Sequence, residues 1–304
     1  MLGTQALDQT IMLLSRYLAL ATAACLQVSS AKAEEDAAPA KAREIDAEFI
    51  FGWTQGADVG ELHEQELEFQ NDIFVGKRAG RYSAVQSQVR YETSPFENLR
   101  IELGAPFIGH DITGVTNLDN RSAWAFQGFS AEARYKILSR DKASIGLTAG
   151  VEPHWSRVDD ASGDAVQNYG AEFTLAADRE LVEDRVYAAT NLSFDLEIGR
   201  ARGAPRWERQ SNFGASLSLT RLWSSGVFFG GEARWLCAYN GVLNRYAGQA
   251  LFVGPTFLIA IGKQVKISGA WSYQITGGER GSRSALDLTD FSRHQATLRA
   301  EYNF

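Results

Sequence analysis

The chain has 304 residues, 45% of them hydrophobic and 22% charged, with a formal net charge of −7. That composition excludes a disordered chain and leaves room for one large domain or two ordinary ones. The acidic balance excludes nucleic acid as a main partner.

The N-terminal stretch is organised for export. Arg16 precedes the apolar run YLALATAACL, and a small-x-small site, Ala31-Lys32-Ala33, follows. This order predicts a signal peptide over residues 1–33 with cleavage after Ala33. The apolar run is too short for a transmembrane helix, which needs about 20 residues. Met12 is the more usual start for such a leader. Cleavage removes Arg16, Lys32 and Asp8, net +1, which takes the charge from −7 to −8. It also removes Cys25 and leaves Cys237 alone, so no internal disulfide is expected. Residues 34–63 are expected to hold a flexible lead, EEDAAPAKARE (34–44), and then EFIFGWTQG (48–56). The second piece alternates like a strand. As a thirteenth wall strand it would break the even count of bacterial barrels, so a periplasmic or lumenal strap is expected instead.

From Glu64 onward apolar and polar residues alternate in segments that recur about every 20 residues, the period of half-buried strands. Strands are predicted at 64–75, 81–92, 97–108, 123–138, 143–156, 167–179, 184–199, 210–223, 226–239, 249–262, 264–276 and 291–304. Most are long enough to cross a bilayer at a tilt. Their connections alternate long and short from the third strand on. GHDITGVTNLDNRS, RVDDASGDAV, ARGAPRWERQ, NGVLNRYAG and GGERGSRSALDLTD are long; TSPFE, RDK, LVED, SS and Lys263 are short. Long outer loops and short periplasmic turns are the habit of outer-membrane barrels.

Alternation alone fits a soluble barrel with its apolar face inward or a membrane barrel with that face outward. Charges at mid-strand favour the second. The fold class expected is all-β: a closed antiparallel up-and-down transmembrane β-barrel of about twelve strands over residues 64–304. Its lumen is expected to be lined by Glu66, Glu68, Arg90, Arg100, Glu102, Glu132, Arg134, Glu172, Glu232, Arg234, Arg299 and Glu301. One wall is charged and bulky. The other is small, with Gly146, Thr148, Gly150, Gly170, Gly214, Ser216, Ser218 and Gly254. Two outcomes stay open: salt bridges that plug the interior, or a narrow aqueous path with an acidic excess and a weak cation preference.

The chain ends on TLRAEYNF. Ala296, Leu298, Ala300, Tyr302 and the terminal Phe304 share one face. This ending resembles the C-terminal signature of Gram-negative outer-membrane β-barrels. The resemblance implies recognition by the barrel-insertion machinery, location in the outer membrane, and lipid and lipopolysaccharide as surroundings. Residues 66–107 resemble the opening of outer-membrane channel or transporter proteins of the phenol-degradation-pathway type, which implies passive movement of a small solute. His154, Ser156 and Asn168 resemble at one spot the outer-membrane phospholipase A, with Ser156 as nucleophile, His154 as base and Asn168 orienting the ring. Here, however, His154 and Ser156 turn into the lumen, and Arg157-Val158 stand where that enzyme has Asn-Gly. A polar cluster at the lumen rim and no catalysis is the expectation.

No cofactor or metal is expected. His63, His110, His154 and His294 are dispersed in sequence, Cys237 falls on the apolar face, and Asp159, Asp160 and Asp164 do not follow an EF-hand order. The functions in view are a diffusion channel for small solutes, a closed structural or partner-binding barrel, and, remotely, a hydrolase.

Overall fold

The computed structural model describes residues 48–304 other than Lys263. The leader, residues 34–47 and Cys25 lie outside the described residues. Thirteen strands follow in chain order: β1 (Gln65–Val75), β2 (Arg81–Phe96), β3 (Leu99–Thr113), β4 (Arg121–Phe126), β5 (Gly128–Leu138), β6 (Gly146–Val158), β7 (Ala165–Val182), β8 (Val186–Ala201), β9 (Glu208–Ser224), β10 (Val227–Tyr239), β11 (Tyr246–Ile261), β12 (Val265–Glu279) and β13 (His294–Asn303). Both β4 and β5 pair with β3, one after the other, and are halves of a single wall strand interrupted at Gln127. The wall therefore counts twelve.

Each wall strand is antiparallel to its neighbours, and β1 pairs with both β2 and β13. The sheet closes on itself as an up-and-down barrel. Closure leaves no unpaired edge, the condition a bilayer imposes on strands. Gln127 sits at a register shift beside Pro106 on β3, which has no N–H to give. The ladder is patched by Gln127 N–H donating to Pro106 O at 2.9 Å and Arg157 N–H donating to Gln127 O at 2.8 Å.

Several strands run further than the alternation marks. β3 continues to Thr113 because Ile108–Ile112 pair with Arg121–Ala125, which shortens the expected loop 109–122 to 114–120. The reverse holds at RDK. There β6 starts at Gly146, and the connection 139–145 opens with Lys142 and Ala143 N–H groups folded back onto Ser139 O. The contrast between long and short connections is weaker than expected, and 280–293 is the one markedly long loop.

Exposure separates the two faces and decides their sense. Leu103 is 56% exposed, Phe173 48% and Leu219 53%, while Glu68 is 0% and Arg134 1%. A barrel in water with this pattern would display a continuous apolar belt around its whole girth, which soluble proteins avoid. The apolar face is turned to hydrocarbon and the charges face inward. At the C-terminus Leu298, Ala300, Tyr302 and Phe304 are exposed and Ala296 partly so, on that outer face, with the Tyr302 and Phe304 rings stacked at 6.1 Å.

Residues 48–56 join no strand ladder. They coil inside the barrel in turns, with Gly52 at φ +88° and Gly56 N–H donating to Glu48 O at 2.9 Å. Phe49, Ile50 and Phe51 pack with Tyr187, Phe228 and Leu258 in a buried cluster at the end where the chain makes its tight turns. A cationic group on the outer face should be costly. Leu103→Arg is expected to lower the stability of the barrel in lipid vesicles by about 2–4 kcal/mol, measured by urea unfolding of the reconstituted protein.

Candidate functional site

The charged residues of the interior hold the N-terminal strap. Glu48 is gripped by Arg100 and Arg134. Arg299 donates to Gly52 O at 2.7 Å and lies over the Phe49 ring at 4.5 Å. Glu232 accepts from Trp53 N–H at 3.0 Å and Thr54 N–H at 3.1 Å, and Arg234 covers the Trp53 ring at 4.4 Å. Asp178 accepts from Ala57 N–H at 2.8 Å.

The small-residue wall receives the other side of the strap. Thr148, Ser218 and Thr220 hydroxyls donate to the carbonyls of Ala57, Phe51 and Ile50 at 2.8, 3.1 and 2.9 Å. Asn191 bonds both backbone groups of Gln55, at 2.6 and 2.8 Å. At Gly146 an added Cβ would stand 2.9 Å from Ala57 Cβ, so the small wall leaves the room that the strap fills. Backbone that enters a barrel needs partners in place of water. These side chains supply them.

The lumen residues expected from sequence fall into two groups. Glu66, Glu68, Arg100, Glu102, Glu132, Arg134, Glu232, Arg234, Arg299 and Glu301 are buried inside, while Arg90 and Glu172 are partly buried. The first group, together with Arg90, is knitted by ion pairs. Arg90 bridges Glu68 at 3.1 Å and Glu102 at 3.0 Å, Arg100 reaches Glu92 at 3.0 Å, and Lys266 lies 3.9 Å from Glu66 and 3.8 Å from Glu301. Glu172 stands apart from this network.

Register explains why. Glu66, Glu92, Glu102 and Glu132 are direct cross-strand partners in sequence around the wall. Glu152 follows, next to Val151, the partner of Ala133, and Glu152, Glu172 and Asp195 are again direct partners. Like charges placed opposite one another are destabilising. The first four are offset by Arg90, Arg100 and Arg134. Among the described residues no lysine or arginine pairs with Glu152, Glu172, Asp195 or Glu197. The basic group beside them is His154, whose Nε2 lies 3.3 Å from Glu197 Oε1 and 4.0 Å from Asp195 Oδ1.

Glu152 and Glu172 of this second half, together with His154 and Glu197, line a cavity of about 250 Å³. Gln86, Gln88, Arg90, Ser156 and Asn168 also face it, and it reaches the loop residues Asp159 and Asp160. It lies on the far side of the strap from the tight turns. The sequence reading missed Glu152 and the row as a whole, because cross-strand register depends on hairpin geometry. The available signal was at least one inward carboxylate on every wall strand from β1 to β8, β4 and β5 counting as one.

The other candidate groups do not assemble. Ser156 and Asn168 are cross-strand partners, but His154 Nε2 is engaged by Glu197 and not by Ser156, so no nucleophile–base pair forms. Asp159 caps its own turn through Ala161 and Ser162, and Asp164 pairs with Arg121. These carboxylates do not converge on a calcium ion. Loop 280–293 folds into the mouth, where Gln274 donates to Asp287 O at 2.9 Å and the Phe291 ring meets Phe252 at 6.4 Å.

Two expectations follow from these contacts. Glu48→Ala removes the shared partner of Arg100 and Arg134. The cost is at most about 3–5 kcal/mol, reduced because Glu92 and Glu132 remain beside them. Faster protease cleavage within residues 48–60 of an otherwise folded barrel is the expected readout. Asp287 is buried, and burial followed by the neighbouring Asp290 carboxylate pushes its pKa up to about 7. A carboxyl raised in the folded state favours docking at low pH and loses that contribution as pH rises towards 7. Amides of loop 280–293 should therefore exchange faster, relative to intrinsic rates, at pH 8 than at pH 5, and Asp287→Asn should flatten the difference.

Among solved structures, the COG4313 outer membrane channel from Pseudomonas putida F1 is similar with a TM-score of 0.60 at 11% identity, over 88% of this chain and 100% of that one. The translocator domain of the autotransporter NalP from Neisseria meningitidis gives 0.47 at 14% identity, over 82% of this chain and 91% of that one. At 11% identity the first likeness shows the barrel fold alone. No curated protein matches the sequence. A family model described as a family of unknown function, DUF6662, matches residues 43–304, and the chain belongs to that family.

Proposed function

We propose that the protein resides in the outer membrane and acts as a narrow, channel-like barrel for small polar solutes, with a preference for cations. The observation that carries this reading is the cavity bounded by Glu152, Glu172 and Glu197, a space of about 250 Å³ lined by carboxylates without a matching set of arginines. Fixed negative charge in a low-dielectric tube concentrates cations and repels anions. The Pseudomonas putida F1 barrel, named an outer membrane channel, supports the reading by its fold. The apolar outer belt supports the location.

The strap is the constriction of this channel. It occupies the lumen at the tight-turn end and is held by side chains from both walls, so passage there is narrow. The same observation favours a second reading, a closed barrel that conducts nothing and works through its loops.

Planar-bilayer recording separates the two. The full-length barrel is expected to show small, cation-selective currents, and deletion of residues 48–58 to raise conductance several-fold. A strap-deleted barrel that inserts and folds yet passes no current would favour the closed reading. Anion selectivity in the full-length protein would contradict the charge argument.

A further inference from the structure

We propose that His154, Asp195 and Glu197 form a binding site for a divalent transition-metal cation on the inner wall of the barrel. The proposal stands on donor geometry and applies whether or not the barrel conducts.

The three residues come from two strands, β6 and β8, that do not touch. Between them runs β7, and Gly170 is the cross-strand partner of both His154 and Glu197. A Cβ at position 170 would stand 2.3 Å from His154 Nε2 and 3.0 Å from Glu197 Cγ. Any other residue there would fill the space in which the imidazole and the carboxylate meet. Gly170 has no positive φ that would call for glycine on backbone grounds, so close approach of side chains is the physical reason for it.

The donors suit such an ion. One imidazole nitrogen with carboxylate oxygens is a set that zinc and its neighbours accept, at bond lengths of about 2.0–2.2 Å. Tetrahedral bonds of that length place donors about 3.3 Å apart. His154 Nε2 and Glu197 Oε1 are 3.3 Å apart. His154 Nε2 and Asp195 Oδ1 are 4.0 Å apart, within reach of a small side-chain movement. Buried polar atoms in proteins are nearly always partnered. Asp195 Oδ1 is buried and accepts no hydrogen bond. It is the oxygen that a cation would take up.

Charge points the same way. Glu152 and Glu172 stand beside the set, and a dication would offset the like-charge contact between Glu172 and Asp195 across the ladder. Three protein ligands leave a coordination position open towards the cavity, where water or a solute group can bind.

The test uses the full-length barrel without an affinity tag, purified in detergent and stripped with a chelator. Isothermal titration with zinc is expected to show one saturable site, and cobalt(II) an absorption band of low-symmetry coordination. His154→Ala, Glu197→Gln and Gly170→Ala are each expected to weaken zinc binding by about tenfold or more. Glu197→Gln keeps shape and volume, and the heat-dependent gel shift of a folded barrel checks every variant. Absence of a saturable site in the wild type would overturn the proposal and leave an imidazolium–carboxylate pair. Equal zinc affinity in wild type and in folded Glu197→Gln and Gly170→Ala would also overturn it, by placing the ion on the loop carboxylates.

Discussion

A strand in hydrocarbon has no solvent to satisfy its backbone, and that constraint governs the rest of this molecule. It requires closure, and β1 meets β13 from Glu66–Asn303 to Val75–His294 to provide it. Closure with twelve strands then fixes an interior of limited width. Side chains of alternate parity must fill it, line it or hold something in it. Because the outer face is committed to lipid, the charged residues near the middle of the wall strands are pushed inward. The electrostatics of the lumen are therefore a consequence of the membrane face, before any role in transport.

The interior solves its packing in two ways. At the tight-turn end, residues 48–60 enter as a strap and take the place of solvent. The large charged side chains of β1–β5 and the small polar ones of β6–β9 are complementary halves of one socket for it. Arg100 and Arg134 neutralise Glu48 and are neutralised in turn by the glutamates of their own strands. Buried charges are tolerated when such partners are present and costly when they are absent. Beyond the strap, the balance fails: the row of carboxylates continues through Glu152, Glu172 and Asp195, and the arginines stop. Carboxylates left side by side in a confined space are the feature on which the proposed cation preference and the proposed metal site both rest.

The barrel was legible in the sequence because its signal is periodic and repeated. Alternation and the segment spacing each depend on local pattern, and they agree from Glu64 to Phe304. Strand ends were less legible, since Ile108–Ile112 become strand only by pairing with Arg121–Ala125. The same limit applies to the site. Which inward residues face one another depends on register across hairpins, so Glu152, Glu172 and Asp195 are neighbours although 43 positions separate the first from the last. His154 was visible as an inward residue, but its company was not. The four histidines are dispersed, and a ligand set drawn from separate strands has no sequence spacing to betray it. The asymmetry of large and small walls was visible too, while its cause lay in a segment whose own pattern imitates a strand.

The strap and the row of carboxylates are linked through glycine and arginine placement. Along one register line, Arg90 is followed by Gly104, Ser130, His154, Gly170 and Glu197. Large cationic side chains at each of those positions would pair every glutamate in the adjacent row and leave a filled barrel. Small residues at 104, 130 and 170 instead keep space open beside the acids. Gly104 and Gly170 each abut a neighbouring side chain, Gln88 and His154, at a distance that excludes a Cβ. The cavity is thus built by positions that withhold volume, as is the small-residue half of the socket for the strap. A barrel optimised only for stability would fill both, and the unfilled one is where a solute or ion has room to interact with the protein.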